Sequence, residues 1–371
     1  MILRHLTIAA SMMVVAAPAA AQQRGPIAQA VKLADWQLAH MDVNPRSGDM
    51  RAWEPAVFWA GMTALADAGA PPRIKDAIMA MGGANGWRPG EKPYFADDHA
   101  IVQSYLWAAA NGGPPEALAS AKATFDRVVD KPAVTTLAFA VPPDGYGATE
   151  CLTRWCWCDA LFMAPPALVE LSRQTGDPRY RAFAMKEFWA TTDFLLDPVE
   201  HLYYRDSRFF ERRDAQRRKQ FWSRGNGWVF AGMARIIPLL PRNSPDRTRM
   251  EGLFRDMAAK LKTLQKADGY WAPSLLAPEA SPPEASGTAF FTYGMAWGVN
   301  SGVLPRADYA PVARRGWAAL ERAIQPDGRL GWVQQVSDRP DKVAAQETQY
   351  YGVGAFLMAA TQIARLDRTD R

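Results

Sequence analysis

Apolar residues recur at three- and four-residue spacing along most of the chain, the period of a helix that hides one face. The pattern predicts twelve helices, over about residues 27–41, 53–68, 72–81, 98–110, 115–129, 157–175, 178–196, 225–240, 246–266, 287–301, 307–323 and 346–366. Strand-like pieces are short and lie between helices, at Leu202-Tyr203-Tyr204 and Trp332-Val333-Gln334. Five connections share one chemistry: Gly69-Ala70-Pro71-Pro72, Asn111-Gly112-Gly113-Pro114-Pro115, Thr175-Gly176-Asp177-Pro178, Asn243-Ser244-Pro245 and Gly302-Val303-Leu304-Pro305. Gly or Asn suits a left-handed C-terminal cap, and Pro then suits the first turn of the next helix. This repetition predicts helical hairpins, and twelve helices make six of them. Six hairpins close into an all-α fold, an (α/α)6 barrel with inner and outer rings. An open helical solenoid is the alternative, with repeats that are usually shorter and more alike.

The first helix of each pair is approached through aromatic and polar residues: Trp53-Glu54-Pro55, Phe95-Ala96-Asp97-Asp98-His99, Trp155 to Asp159, Trp222 to Trp228, Ser286 to Phe291, and Gln346 to Tyr351. The second helices begin plainly. If the first helices form the inner ring, all six starts meet at one end, which then holds aromatic walls, several carboxylates and Arg224. That end is the expected active site.

The chain's beginning reads differently. Arg4 precedes an apolar run from Leu6 to Ala20, and Ala19-Ala20-Ala21 supplies a small-x-small cleavage pattern. Residues 1–21 are read as a secretory signal peptide, with residues 22–371 as one exported catalytic domain, periplasmic or secreted. A retained membrane anchor is the less suited reading, because the run falls short of the roughly 20 residues that a span needs. No later segment is long and apolar enough to span a bilayer.

Composition adds three points. About half of the 371 residues are hydrophobic and 22% are charged, which excludes a disordered chain. Lys and Arg exceed Asp and Glu by 43 to 38, scattered too evenly for nucleic acid but compatible with an acidic substrate. Fourteen Trp with 11 Tyr and 16 Phe suit the flat faces on which sugar rings stack, and also suit a core. The three cysteines, Cys151, Cys156 and Cys158, cluster; an oxidising compartment would allow one disulfide, while buried or unpaired thiols are the reading preferred.

Searches for familiar chemistry are mostly negative. There is no phosphate loop, no complete dinucleotide fingerprint, no HExxH and no GxSxG, so no metal and no cofactor is expected. What remains is carboxylates among aromatics, which points to glycosidic chemistry. Asp159, beside Trp157, reads either as a general acid whose pKa an aromatic pocket raises or as a helix N-cap. Of Asp97 and Asp98, one would cap and one would face the pocket. His99 is a partner for a sugar hydroxyl or a core histidine. Trp222, Arg224 and Trp228 form the strongest local group: a guanidinium fork for a uronate carboxylate between two stacking rings. The plainer reading is a helix start with two core tryptophans and a surface arginine. The charged run Glu211 to Lys219 is read as a solvated loop, its alternative being a weak footprint for an anionic polysaccharide.

These residues resemble glycoside hydrolase families 88 and 105, the unsaturated glucuronyl and unsaturated rhamnogalacturonyl hydrolases. The resemblance rests on Trp157 to Met163, Thr175 to Tyr180, Phe221 to Trp228 and Ser286 to Phe290, and runs from about Trp36 to Ala364. It implies an (α/α)6 barrel and removal of a 4-deoxy-hex-4-enuronic acid from the non-reducing end of lyase-generated oligosaccharides, without cofactor. It implies that Asp159 is the catalytic aspartate, that a second lies in the Asp97-Asp98 pair, and that Trp222, Arg224 and Trp228 contact substrate; Trp157, His99 and Arg205 join them as candidate substrate-binding residues. One departure stands out: Arg205 occupies a place where many rhamnogalacturonyl members carry histidine, which bears on the aglycone and makes Arg205 the other candidate for the anion. No obligate protein partner is implied. The competing classes are an inverting endo-glycosidase, a uronide lyase and a non-catalytic carbohydrate-binding protein.

Overall fold

The computed structural model describes residues 25–43, 48–139, 154–279 and 281–369. The expected signal peptide and Cys151 lie outside them. The helices, in chain order, are α1 (Pro26–Ala39), α2 (Trp53–Asp67), α3 (Pro72–Ala84), α4 (Ala96–His99), α5 (Val102–Ala110), α6 (Pro115–Asp130), α7 (Ala160–Met163), α8 (Pro165–Thr175), α9 (Pro178–Leu195), α10 (Ser223–Ile236), α11 (Pro245–Leu264), α12 (Ala285–Ser301), α13 (Arg306–Ala323) and α14 (Tyr350–Arg368).

Two kinds of helix are present. Helices α2, α12 and α14 are apolar and buried almost all round, the mark of helices enclosed on every side. Helix α6 buries only Ala117, Ala121, Thr124, Phe125 and Val128, one stripe at helical spacing. Each inner helix packs on the next: α2 on α5, α5 on α8, α8 on α10, α10 on α12, α12 on α14, and α14 back on α2. The ring is therefore closed. Helices α3, α6, α9, α11 and α13 back their hairpin partners from outside, and α1 completes the sixth hairpin by docking on α14. This is the (α/α)6 barrel. At the closing seam the backbones touch: a Cβ on Gly61 would lie 2.4 Å from the carbonyl oxygen of Gly354.

Four of the five turns carry the left-handed cap that the sequence predicts, whereas Asn243 does not adopt it and its turn keeps only the proline at the helix start. Gly69, Gly112, Gly176 and Gly302 take positive φ values of 75–85°, and Pro178 and Pro245 open their helices. Asp177 accepts from the N–H of Arg179 and Ser244 from that of Arg247, satisfying otherwise orphaned donors.

Two inner elements differ from the expected unbroken helices. Residues 96–110 divide into α4 and α5, and residues 160–175 into α7 and α8. Pro165 and Pro166 explain the second break, since neither has an N–H to continue the ladder. The side-chain amide of Gln103 donates instead to the carbonyls of Phe162 and Met163, at 2.9 and 3.1 Å. Arg235 in turn donates to the Gln103 carbonyl at 2.8 Å.

Strands β1 (Leu196–Asp197) and β2 (Leu202–Tyr203) make one small antiparallel hairpin. Residues 332–334 form no strand, because Trp332 sits in the left-handed region at φ 57° and breaks any extended run.

Candidate active site

The starts of the inner helices do meet at one end of the barrel, and Trp228 is where they meet. Its ring lies 4.3 Å from Phe290, 5.1 Å from Phe162 and 6.1 Å from both Trp53 and Tyr351. Trp53 and Tyr351 stack on each other at 5.1 Å. Trp228 is fully buried. It plugs the barrel axis and offers no face to a sugar, contrary to the stacking role expected of it.

The rest of the 222–228 segment is a bracket. Arg224 is fully buried, donating to the carbonyls of Gln334 at 2.6 Å and Gln335 at 2.9 Å, with its guanidinium between the rings of Trp222 and Tyr351. Trp222 donates from its indole to Gln334 at 3.0 Å. Asn226 pairs like a strand neighbour with Tyr203, accepting from its N–H at 2.7 Å and donating to its carbonyl at 3.0 Å. So α10 clamps the 334–335 loop on one side and β2 on the other. The expected direct grip of Arg224 on a carboxylate does not fit this arrangement, because both terminal nitrogens are already engaged. Nor does Trp222, 2% exposed and covered by that guanidinium, present a free stacking face.

What the bracket holds in place is an ionisable cluster. Asp159, at the start of α7, makes no capping hydrogen bond, which removes the N-cap reading. Its Oδ2 lies 3.7 Å from Arg205 Nε and accepts from the Cys158 thiol at 3.4 Å. Burial pushes the Asp159 carboxyl above its ordinary value, against the pull of Arg205, Cys158 and Arg224. Asp97, on α4, faces the same charges. Burial raises it well above the usual range, and the neighbouring charges of Asp159 and Glu54 raise it further against Arg205. Glu54, at the start of α2, is 7% exposed. Arg205 is held from behind by Asp206 at 2.8 Å, which also binds Arg208 at 2.8 Å, and Arg208 reaches Asp338 at 2.8 Å. Burial pushes Asp206 up, but Arg208 and Arg205 outweigh it and keep it ionised.

The other candidates separate cleanly. Asp98 turns away and accepts from the N–H of Lys92 at 2.8 Å, so Asp97 is the pocket member of the pair. His99 is 1% exposed, donates to the Pro93 carbonyl at 2.9 Å and packs edge-on against Phe125. Burial lowers its pKa to about 4. It is a core histidine and not a sugar ligand. Trp157 is 3% exposed behind the half-buried Phe95, 5.4 Å away, and therefore backs the wall rather than forming its surface. Cys156 is disulfide-bonded, which corrects the unpaired reading at that position, whereas Cys158 is free and buried.

Glu54, Asp206 and Cys158 were not singled out by sequence reasoning. Glu54 carried a signal, since it lies in the first aromatic approach. Among the described residues no group of His, Cys, Asp and Glu is placed to hold a metal ion. A cavity of about 990 Å³ opens at the barrel's other end, beside Asp67, Trp107, Arg235 and Arg365, and contains neither Asp97 nor Asp159.

The family profile for Glycosyl Hydrolase Family 88 matches residues 29–367. The chain is 39% identical, over 89% of its length and 83% of the relative's, to an unsaturated 3S-rhamnoglycuronyl hydrolase of Alteromonas sp. strain LOR. A solved glycosyl hydrolase family 88 structure from Bacteroides vulgatus superposes with a TM-score of 0.80 at 27% identity, covering 92% of this chain and 98% of that one. A structure named as a polysaccharide lyase superposes with a TM-score of 0.79 at 28% identity, covering 95% and 99%.

Proposed function

The chain belongs to glycosyl hydrolase family 88, and on that footing we propose that it removes an unsaturated uronyl residue from the non-reducing end of an oligosaccharide, the neighbouring sugar being a 3-sulfated rhamnose. The observation that carries the reaction is the Asp97–Asp159 carboxyl pair with Arg205 against one member. The sulfated neighbour rests on the name of the Alteromonas relative.

The substrate's C4=C5 bond is a vinyl ether. Asp159, protonated, delivers its proton to C4, and positive charge develops at C5 and the ring oxygen. Water adds at C5 while the Asp159 carboxylate takes up a proton from it. The C5–ring-oxygen bond then breaks to give a ketone, and the hemiacetal left at C1 releases the neighbouring sugar. Arg205 receives the uronate carboxylate. In doing so it is drawn from Asp159, whose proton affinity rises as the substrate seats. Asp97 stays protonated beside it and donates to a ring hydroxyl. The protein acts after export, in the periplasm or outside the cell, with Gln22 as its first residue; N-terminal sequencing of the mature protein tests that.

Absorbance decides the reaction class. Incubation with an unsaturated uronyl–rhamnose disaccharide, with and without the 3-sulfate, should bleach the ultraviolet band of the double bond, faster for the sulfated compound. The structural likeness to a protein named a lyase supports a second reading, β-elimination of an intact polymer, which would instead raise that absorbance. A lyase needs a base at the uronate, and His99 is buried with its Nε2 bonded to the Pro93 carbonyl.

A further inference from the structure

The thiol of Cys158 has no part in the reaction as described, yet it bonds the acid. Its sulfur lies 3.4 Å from Asp159 Oδ2, the same oxygen that Arg205 Nε faces at 3.7 Å. The main chain fixes this arrangement: the Cys158 N–H donates to the Arg205 carbonyl at 2.9 Å. The sulfur is seated on the first turn of α10, where a Cβ on Gly225 would come within 3.2 Å of it. Glycine at 225 leaves the sulfur this seat, which a side chain there would crowd. Burial, reinforced by the charge of Asp159, keeps the thiol protonated, so it acts as a donor.

We infer that Cys158 is a positioning residue for the hydrolysis: with Arg205 it holds Asp159 Oδ2, so that the transferable proton resides on Oδ1. This rests on the reading of Asp159 as the acid. A carboxyl oxygen that accepts from a thiol and faces a guanidinium is the poorer base of the two, so the proton settles on the other. The side chain is also held in one rotamer, which fixes the direction in which Oδ1 presents that proton to C4. The charged groups around Asp159 come from several elements: Arg205 and Asp206 after β2, Asp97 on α4 with Glu54 behind it on α2, and Arg224 on α10. Cys158 contributes a neutral donor, which orients the carboxyl without fixing it in the ionised state.

The test compares Cys158→Ala and Cys158→Ser in the full chain, on the unsaturated disaccharide. A donor to the carboxylate lowers its pKa, so removing the donor moves the alkaline limb of the kcat profile to higher pH. Cys158→Ala should lose about three- to tenfold in kcat with KM unchanged and show that shift. Cys158→Ser, which keeps a donor, should recover kcat to within about twofold and return the limb. The carboxyl C=O stretch of Asp159, assigned by subtraction of the Asp159→Asn infrared spectrum, should move in Cys158→Ala and is readable whatever the activity. Wild-type kcat, limb and stretch in Cys158→Ala would overturn the inference, as would a serine variant indistinguishable from the alanine one. Should Asp159→Asn keep its turnover, the acid assignment itself falls; an inactive Asp159→Asn beside an unaltered Cys158→Ala removes only the role of Cys158.

Discussion

Arg205 and Asp159 face each other at 3.7 Å, although 46 residues of chain separate their positions. The contact is too long for a hydrogen bond but well within Coulombic reach. It makes the acidity of Asp159 depend on whether Arg205 has another anion to attend to, and the substrate carries one.

Replacing the acid tests the chemistry most directly. Asp159→Asn should lower kcat by at least 10²- to 10⁴-fold, the range typical of a lost general acid. Its circular dichroism should match the wild type, because Asp159 caps no helix. Steady-state kinetics on an unsaturated uronide measure this, and near wild-type turnover would refute the assignment.

The two neighbouring aspartates should part company. Asp97→Asn should lose most activity, whereas Asp98→Ala should stay within a few-fold in kcat but lose about 1–2 kcal/mol of stability with the Lys92 N–H bond. Stability also has a pH signature. The folded-state pKa of Asp97 is raised, so its contribution is most favourable below the ordinary aspartate range and is lost as pH climbs toward the raised value. Asp97→Asn should therefore melt a few degrees above the wild type at neutral pH, with the difference closing near pH 4. Thermal melts across pH would expose the reverse order.

Arginine-to-lysine changes separate recognition from support. Arg205→Lys should reduce kcat/KM by about 10- to 100-fold on unsaturated uronides, since an ammonium replaces a fork suited to a carboxylate. Arg224→Lys should act first on stability, because the lost bonds are to the carbonyls of Gln334 and Gln335. If the kinetic loss follows Arg224 while Arg205→Lys is unaffected, the anion site is not at Arg205.

Gln103 stands in for the missing proline donors. Gln103→Ala should cost about 2–4 kcal/mol, leaving the carbonyls of Phe162 and Met163 and the guanidinium of Arg235 without their buried partner. Chemical denaturation would detect it as a lower midpoint. An unchanged midpoint would mean that the break between α7 and α8 supports itself.

The fold was highly legible because its signals are local. Helical periodicity and a Gly-then-Pro turn chemistry are written into stretches of a few residues, and Gly176 with Pro178 behaves as that chemistry requires. The site was legible in outline only. Asp159 and Asp97 could be named as candidates, but which of Asp97 and Asp98 turns inward depends on the Lys92 loop, a tertiary fact. Arg224 misled for a physical reason: a guanidinium that suits a uronate suits two backbone carbonyls equally well. Trp228 and His99 were ambiguous in the same way, since aromatic and imidazole side chains serve cores as readily as ligands. Cys158 gave no signal beyond its position, because a thiol becomes informative only when its acceptor is seen.

The sixth hairpin sets an order on how the molecule comes into being. Five hairpins join helices that follow one another in sequence and are able to nucleate independently, whereas the sixth unites α1, from residue 26, with α14, which ends at residue 368. Contacts between the two ends of a chain are the slowest to gather, because the intervening loop must first be confined. The stacked pair Trp53 and Tyr351 spans the neighbouring seam, where α14 closes the ring on α2. A growing polypeptide therefore has Glu54, Asp97, Asp159 and Asp206 long before it has a catalyst, and the pocket is finished only when the final helix docks.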